Sequence, residues 1–122
     1  TWYQAQQACA NVDKRLPTTT EWQMAAPGTP SGTGSGCNFS GAVTTTGADA
    51  GCVSTTGAFD MIGNVWEWTA ELQAGDNITT TNDGIVSAIG DGYDNQGNAS
   101  IRALWNIGPN SSDVRIGIRC VR

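Results

Sequence analysis

Two stretches near the start of the chain carry apolar residues at helical spacing behind a polar cap. Thr1-x-x-Gln4 is a capping box followed by Trp2, Ala5, Cys9 and Val12, so a first helix is predicted with Cys9 facing inward. Thr18-x-x-Glu21 is a second capping box, and Trp22, Ala25 and Ala26 form the apolar side of a helix that Pro27-Gly28 stops. Periodicity then disappears: Pro27 to Gly57 is mostly Gly, Thr, Ser and Ala. A period of two follows in Val65-Trp66-Glu67-Trp68, which puts Trp66 and Trp68 on one face of a strand and Glu67 on the other. Ala74–Gly84 is polar and turn-rich, Ile85–Ile89 is a short apolar strand, Gly90–Asn98 is turn-rich again, and Ile101–Trp105 is another strand candidate. The clearest alternation closes the chain, with Val114, Ile116, Ile118 and Cys120 on one face and Arg115, Gly117 and Arg119 on the other, the pattern of a half-buried antiparallel strand. Helices first and short, loop-separated strands afterwards predict an α+β fold, with the helices packed on a small antiparallel sheet.

The segment Gly57–Trp68, GAFDMIGNVWEW, concentrates the candidate chemistry. Gly63-Asn64 bends the chain, since glycine accepts positive φ and asparagine tolerates the left-handed region. Asp60 and Glu67, with main-chain oxygens near Gly63 and Val65, then make an all-oxygen donor set of flexible geometry, which suits calcium rather than zinc or a soft metal. The chain has no histidine.

Four cysteines, Cys9, Cys37, Cys52 and Cys120, show no CxxC spacing, and an even number in a Thr/Gly/Asn-rich chain reads as two disulfides with three possible pairings. The favoured one joins Cys37 to Cys52 across the glycine-rich segment and leaves Cys9 to tie the first helix to the last strand through Cys120. A loop stapled at its base is not a flexible linker, so residues 1–122 are read as a single domain. At 122 residues the chain buries roughly two-thirds of the surface its unfolded form exposes. Five tryptophans supply core mass, while one lysine and 14% charged residues leave a neutral, loop-rich exterior of the kind exported proteins carry. A formal charge of −5 provides no basic stripe for a phosphate backbone, which excludes nucleic acid as a partner. No run of about 18 apolar residues exists to span a bilayer. Thr1 begins mid-pattern, which suggests a mature product or an excerpt of a longer protein.

Three segments, WYQAQQACANVDKRLPTTTEWQMAA, GAFDMIGNVWEW and IGIRCVR, together resemble the sulfatase-modifying, formylglycine-generating-enzyme-like family, a variant of the C-type lectin fold, from residue 2 to the last residue. The resemblance implies a disulfide between Cys9 and Cys120 and a calcium site on Asp60, Gly63, Val65 and Glu67. It implies a second calcium site near Asn38, Phe39, Asp49 and Gly51, where the spacing departs from the family's. The enzymatic branch oxidises a peptide cysteine with a reactive cysteine pair and copper, placed between an RGGSW-like strand and the final GFRC-like strand. This chain reads IRALWNIGPNSSDVRIGIRC there, with no cysteine between Cys52 and Cys120. Copper(I) needs soft thiolates and a thiol oxidase needs an accessible low-pKa sulfur, so the oxidase chemistry is not expected. Without histidine a Ser or Cys nucleophile also lacks its usual base.

Binding remains. The chain is similar as well to the variable proteins of diversity-generating retroelements, whose C-terminal segment carries hypervariable side chains on a rigid lectin scaffold. Residues 91–115 suit such a surface: Asp91, Tyr93, Asp94, Asn95, Arg102, Trp105, Asn106, Asn110, Ser111, Asp113 and Arg115 bring aromatic, cationic and amide groups into one region. The expectation is a non-catalytic display domain, extracellular or surface-displayed on a bacterium or virus, that binds a protein or glycan on a cell or virion. Its loops would be held by calcium and disulfides. A calcium-dependent sugar-binding lectin is the alternative, although the EPN, QPD and WND sugar motifs of C-type lectins are absent.

Overall fold

The computed structural model describes residues 1–32, 34–39, 41–73, 84–94 and 100–122. Both capping boxes form. The Thr1 hydroxyl accepts the Gln4 N–H and starts α1, Trp2–Ala10. Thr18 and Glu21 exchange side-chain-to-backbone bonds at the start of α2, Thr19–Ala25. Each box satisfies amide donors that a first helical turn leaves without partners. α1 buries Trp2, Ala5 and Cys9. Val12 does not continue that stripe and is 59% exposed, because the helix closes one residue after Ala10: Asp13 adopts φ +54° and the Lys14 N–H turns back to the Cys9 carbonyl.

The sheet has the order β3-β2-β1-β4. β1, Trp66–Gln73, pairs antiparallel with β2, Ile85–Ile89, and β2 pairs antiparallel with β3, Leu104–Ile107. β2 has the bounds its apolar run predicts. β3 begins at Leu104 rather than Ile101 because the Ala103 N–H bonds the Ser100 carbonyl and holds residues 101–102 in a turn. The final strand departs most from expectation. Only Ile116–Gly117 forms β4, and it runs parallel to β1, with Val114 85% exposed. Asp113 draws the Arg115 N–H into a tight local turn on one side; on the other, Cys120 is bonded to α1 and Val121 pairs with Arg15. Both flanks are therefore held by groups outside the sheet.

Register separates the two faces. Trp68, Ala88 and Trp105 are partners on one, and Glu67, Ile89 and Leu104 on the other. α1 covers the first: Trp2, Ala5, Cys9 and Leu16 pack with Trp68, Val86 and Ala88. α2 covers the second, where Trp22 and Ala26 pack with Met61 and Ile89. The helices thus lie on opposite faces of a mixed sheet, and Glu67, on the face opposite Trp68 as its alternation predicts, is buried beneath α2. The disulfides are Cys9–Cys120 and Cys37–Cys52. The second sits beside a small cluster of Phe39 and Ile62, so the glycine-rich segment packs onto the core. The predicted turn-rich segments fall partly on 74–83 and 95–99, outside the described residues.

Candidate ligand-binding surface

The turn before β1 sets the site. Gly63 has φ +78°, and a Cβ there would stand 2.5 Å from the Asn38 carbonyl oxygen, so the position requires glycine. Asn64, at φ +58°, pairs its amide with the Thr44 backbone: Oδ1 accepts the Thr44 N–H at 2.9 Å and Nδ2 donates to the Thr44 carbonyl at 3.1 Å. Its own carbonyl accepts the Tyr93 N–H at 2.9 Å, and the Trp66 N–H donates to the Arg115 carbonyl at 2.8 Å. The 91–94 and 113–115 segments are thereby fastened through backbone atoms to β1 and the turn before it, which leaves the Asp94 and Arg115 side chains to reach toward solvent while Asp91 is buried.

Those side chains surround an open depression of about 340 Å³ lined by Trp66, Asp91, Asp94, Leu104, Trp105 and Arg115. Trp66 and Trp105 meet edge to face, with ring centroids 5.8 Å apart. The Arg115 guanidinium lies 4.8 Å from the Trp105 ring centroid, within cation–π range. Asp113 grips Arg115 at two points, Oδ1 accepting from Nε and Oδ2 from Nη2, both at 2.8 Å, and Asp94 Oδ2 accepts from Nη1 at 3.0 Å. The Asp113 carboxyl is consequently pulled down to about 2, first by the Arg115 side-chain bond and then by the Arg115 N–H, while Asp113 and Asp94 hold Arg115 above its ordinary value. Gly92 keeps the floor open: a Cβ there would stand 3.1 Å from both the Trp66 ring and the Asp94 carboxylate.

The predicted surface residues divide. Asp91, Asp94, Trp105 and Arg115 line the depression and Asp113 supports it, with Asp91 buried at its base. Tyr93 is half-buried beside it. Arg102 is exposed in the turn before β3. Asn106 points to the opposite face of β3, where its Oδ1 accepts the Ser87 hydroxyl at 2.7 Å. Asn110 and Ser111 are exposed near the start of α1, where the Pro109 carbonyl accepts the Trp2 N–H. Asn95 lies outside the described residues. Two lining residues, Trp66 and Leu104, escape sequence reasoning, which assigns Trp66 to the core; the signal is its place at the first position of β1, where the strand begins.

The predicted calcium residues are engaged in other ways. Glu67 Oε2 accepts from Trp22 Nε1 at 2.6 Å and from Arg119 Nε at 2.8 Å, and Oε1 accepts from Arg119 Nη2 at 2.7 Å. Arg119 is therefore not an outward residue of the last strand. Burial works against its charge, yet the Glu67 carboxylate and nearby Asp60 hold it above its ordinary value. Asp60 Oδ2 accepts the Gly47 N–H at 2.7 Å. In the second predicted site, Asn38 donates to the Ala42 carbonyl at 2.9 Å, Phe39 is buried against Ile62, the Asp49 carbonyl accepts the Cys52 N–H, and Gly51 is exposed. Among the described residues no three acidic, thiol or imidazole side chains converge. The Glu67 and Asp60 side-chain oxygens of the predicted calcium set thus already accept bonds from Arg119, Trp22 and Gly47 within the chain, and a guanidinium supplies the positive charge at Glu67.

The chain belongs to the family described as the sulfatase-modifying factor enzyme 1-like domain, whose model matches residues 1–122. Its fold is α+β and C-type lectin-like. The Major Tropism Determinant P3c variant superposes with a TM-score of 0.80 at 25% identity, and the U1 variant with 0.76 at 26%; each match covers 98% of this chain and 36% of the other. The crystal structure of CarF shares the fold, with a TM-score of 0.70 at 22% identity over 89% of this chain and 46% of that one. The chain thus spans little more than a third of the tropism determinants it matches. No curated protein sequence matches it.

Proposed function

We propose that this is a non-catalytic display domain that binds a protein or glycan on a cell or virion surface through the Trp66–Trp105–Arg115 depression. The observation that carries this reading is the division of labour between backbone and side chain: main-chain bonds fix the 91–94 and 113–115 segments to β1 and the turn before it, while an aromatic, cationic and acidic set lines the depression. A fixed frame lowers the ordering cost of recognition. Likeness to proteins named tropism determinants supports a role in choosing a target, and resemblance to retroelement-diversified variable proteins supports substitution at this face. Two disulfides suit an oxidising, extracellular or surface setting. The four cysteines are all taken up in those bonds, which leaves no thiol for the family's oxidase chemistry. The reading does not depend on calcium, since Arg119 already places a positive charge at Glu67.

The test is a library randomised at Asp94, Arg102, Leu104, Trp105 and Asn106, displayed on yeast, sorted for folding and then screened against unrelated proteins and a glycan array. Most single variants are expected to melt within about 2 °C of the parent, as surface substitutions do, and binders to different targets are expected to emerge. A library that unfolds wholesale, or folds and yields no binder, refutes the reading.

A further inference from the structure

Two carboxylates share one guanidinium at the rim of the depression. The Asp113–Arg115 pair is self-contained, a two-point fork with both contacts at 2.8 Å, closed further by the Arg115 N–H on Asp113 Oδ1. Asp94 adds only one contact, 3.0 Å from Nη1, made by a side chain that is 40% exposed. Asp94 and Asp113 against Arg115 leave a formal charge of −1 at the rim, counted over those three residues. Beside this surplus stand two indole rings, and one of them already faces a guanidinium from within the chain.

From this we propose that the depression takes a basic side chain, an arginine or lysine carried by a protein partner, with Asp94 as its counter-ion and the Trp66–Trp105 corner as its aromatic wall. The proposal rests on the display reading and names the chemistry of its ligand. Charge decides between the candidates. An incoming carboxylate or phosphate has to displace Asp113 from a bidentate fork and settle beside two aspartates, on a chain whose formal charge is −5. A neutral sugar gains nothing from the surplus carboxylate. A cation gains from Asp94 and from the ring faces together, and leaves the Asp113–Arg115 fork intact. Gly92 contributes by absence, since a side chain there would press on both the Trp66 ring and the Asp94 carboxylate.

The experiment pans a random dodecapeptide library on the full chain, discards phage that also bind Trp105→Ala, and counts basic against acidic residues in what remains. Arginine and lysine are expected to be enriched. The affinity of the leading peptide is expected to fall as NaCl rises from 50 to 500 mM, as for an interaction between exposed charges. Asp94→Asn is expected to weaken it about two- to fivefold, the measure of one exposed charge pair. Arg115→Gln, which leaves both aspartates without their cation, is expected to tighten it. Peptides rich in Asp and Glu that are lost in Arg115→Gln, or neutral peptides indifferent to salt and to Asp94→Asn, overturn the assignment and leave the display reading standing. Recovery of no Trp105-dependent peptide overturns both.

Discussion

The Glu67–Arg119 pair is the most consequential contact outside the binding face, and Arg119→Met tests it. The substitution keeps much of the apolar stem and removes the charge. Glu67 has a side chain only 7% exposed against 23% for Arg119, so the carboxylate would stay buried with the Trp22 indole N–H as its remaining side-chain donor. Removing one partner of a buried pair costs about 3–5 kcal/mol, and partial exposure of Arg119 places the cost near the lower end, about 3 kcal/mol. With an unfolding entropy of about 2.1 cal/mol/K per residue, 122 residues convert that into a fall in Tm of about 12 °C. Thermal unfolding followed by circular dichroism with both disulfides intact reads the change. Arg15→Met is the control: its pair with Glu21 has equally short contacts but side chains 50% and 40% exposed, and its Tm should barely move. A double variant with Glu67→Gln should recover part of the loss, since glutamine still accepts the indole N–H without burying a charge. If Arg119→Met melts within about 4 °C of the parent, the pair is effectively solvated and the reasoning fails.

Replacing EDTA with millimolar calcium should move Tm by less than about 1 °C; a specific site filled at a hundred times its Kd would add about 2.7 kcal/mol, and a rise of that size refutes the account of Glu67. Removing Cys9–Cys120, which spans 111 residues, should cost about 4–5 kcal/mol, against about 3 kcal/mol for Cys37–Cys52, which spans 15, in denaturant titrations; the reverse order would refute the loop-closure argument. Asp113 is held at about 2, below the usual carboxylate value of about 4. Its contribution, small as for any exposed pair, is present above about pH 4 and lost as pH falls toward 2, so Tm should drop slightly across that window and Asp113→Asn should flatten that drop. A profile unchanged by that substitution refutes the assignment.

Features set by neighbours in the chain are legible in the sequence. Both capping boxes, the two helices and the Ile85–Ile89 strand follow from local chemistry, and Cys37–Cys52 follows from the loop it closes. Features set by distant partners are not. The alternation from Val114 to Cys120 describes a strand that never extends, because Asp113 and Cys120 direct its ends elsewhere. The same alternation sends Arg119 outward, whereas its partner Glu67 is 52 residues away and under α2. The composition of the binding face is visible, but its grouping is not: sheet pleating sends Asn106 away from Trp105, and the place of Trp66 at the start of β1 brings a residue assigned to the core to the rim of the depression.

The bond between Cys9 and Cys120 decides how the domain responds to being pulled. Tension applied through residues ahead of Cys9 and behind Cys120 passes directly from one sulfur to the other, so the 111-residue span between them carries no load. A module clamped this way gives up little length under tension, and the 91–94 and 113–115 segments keep their places beside the sheet.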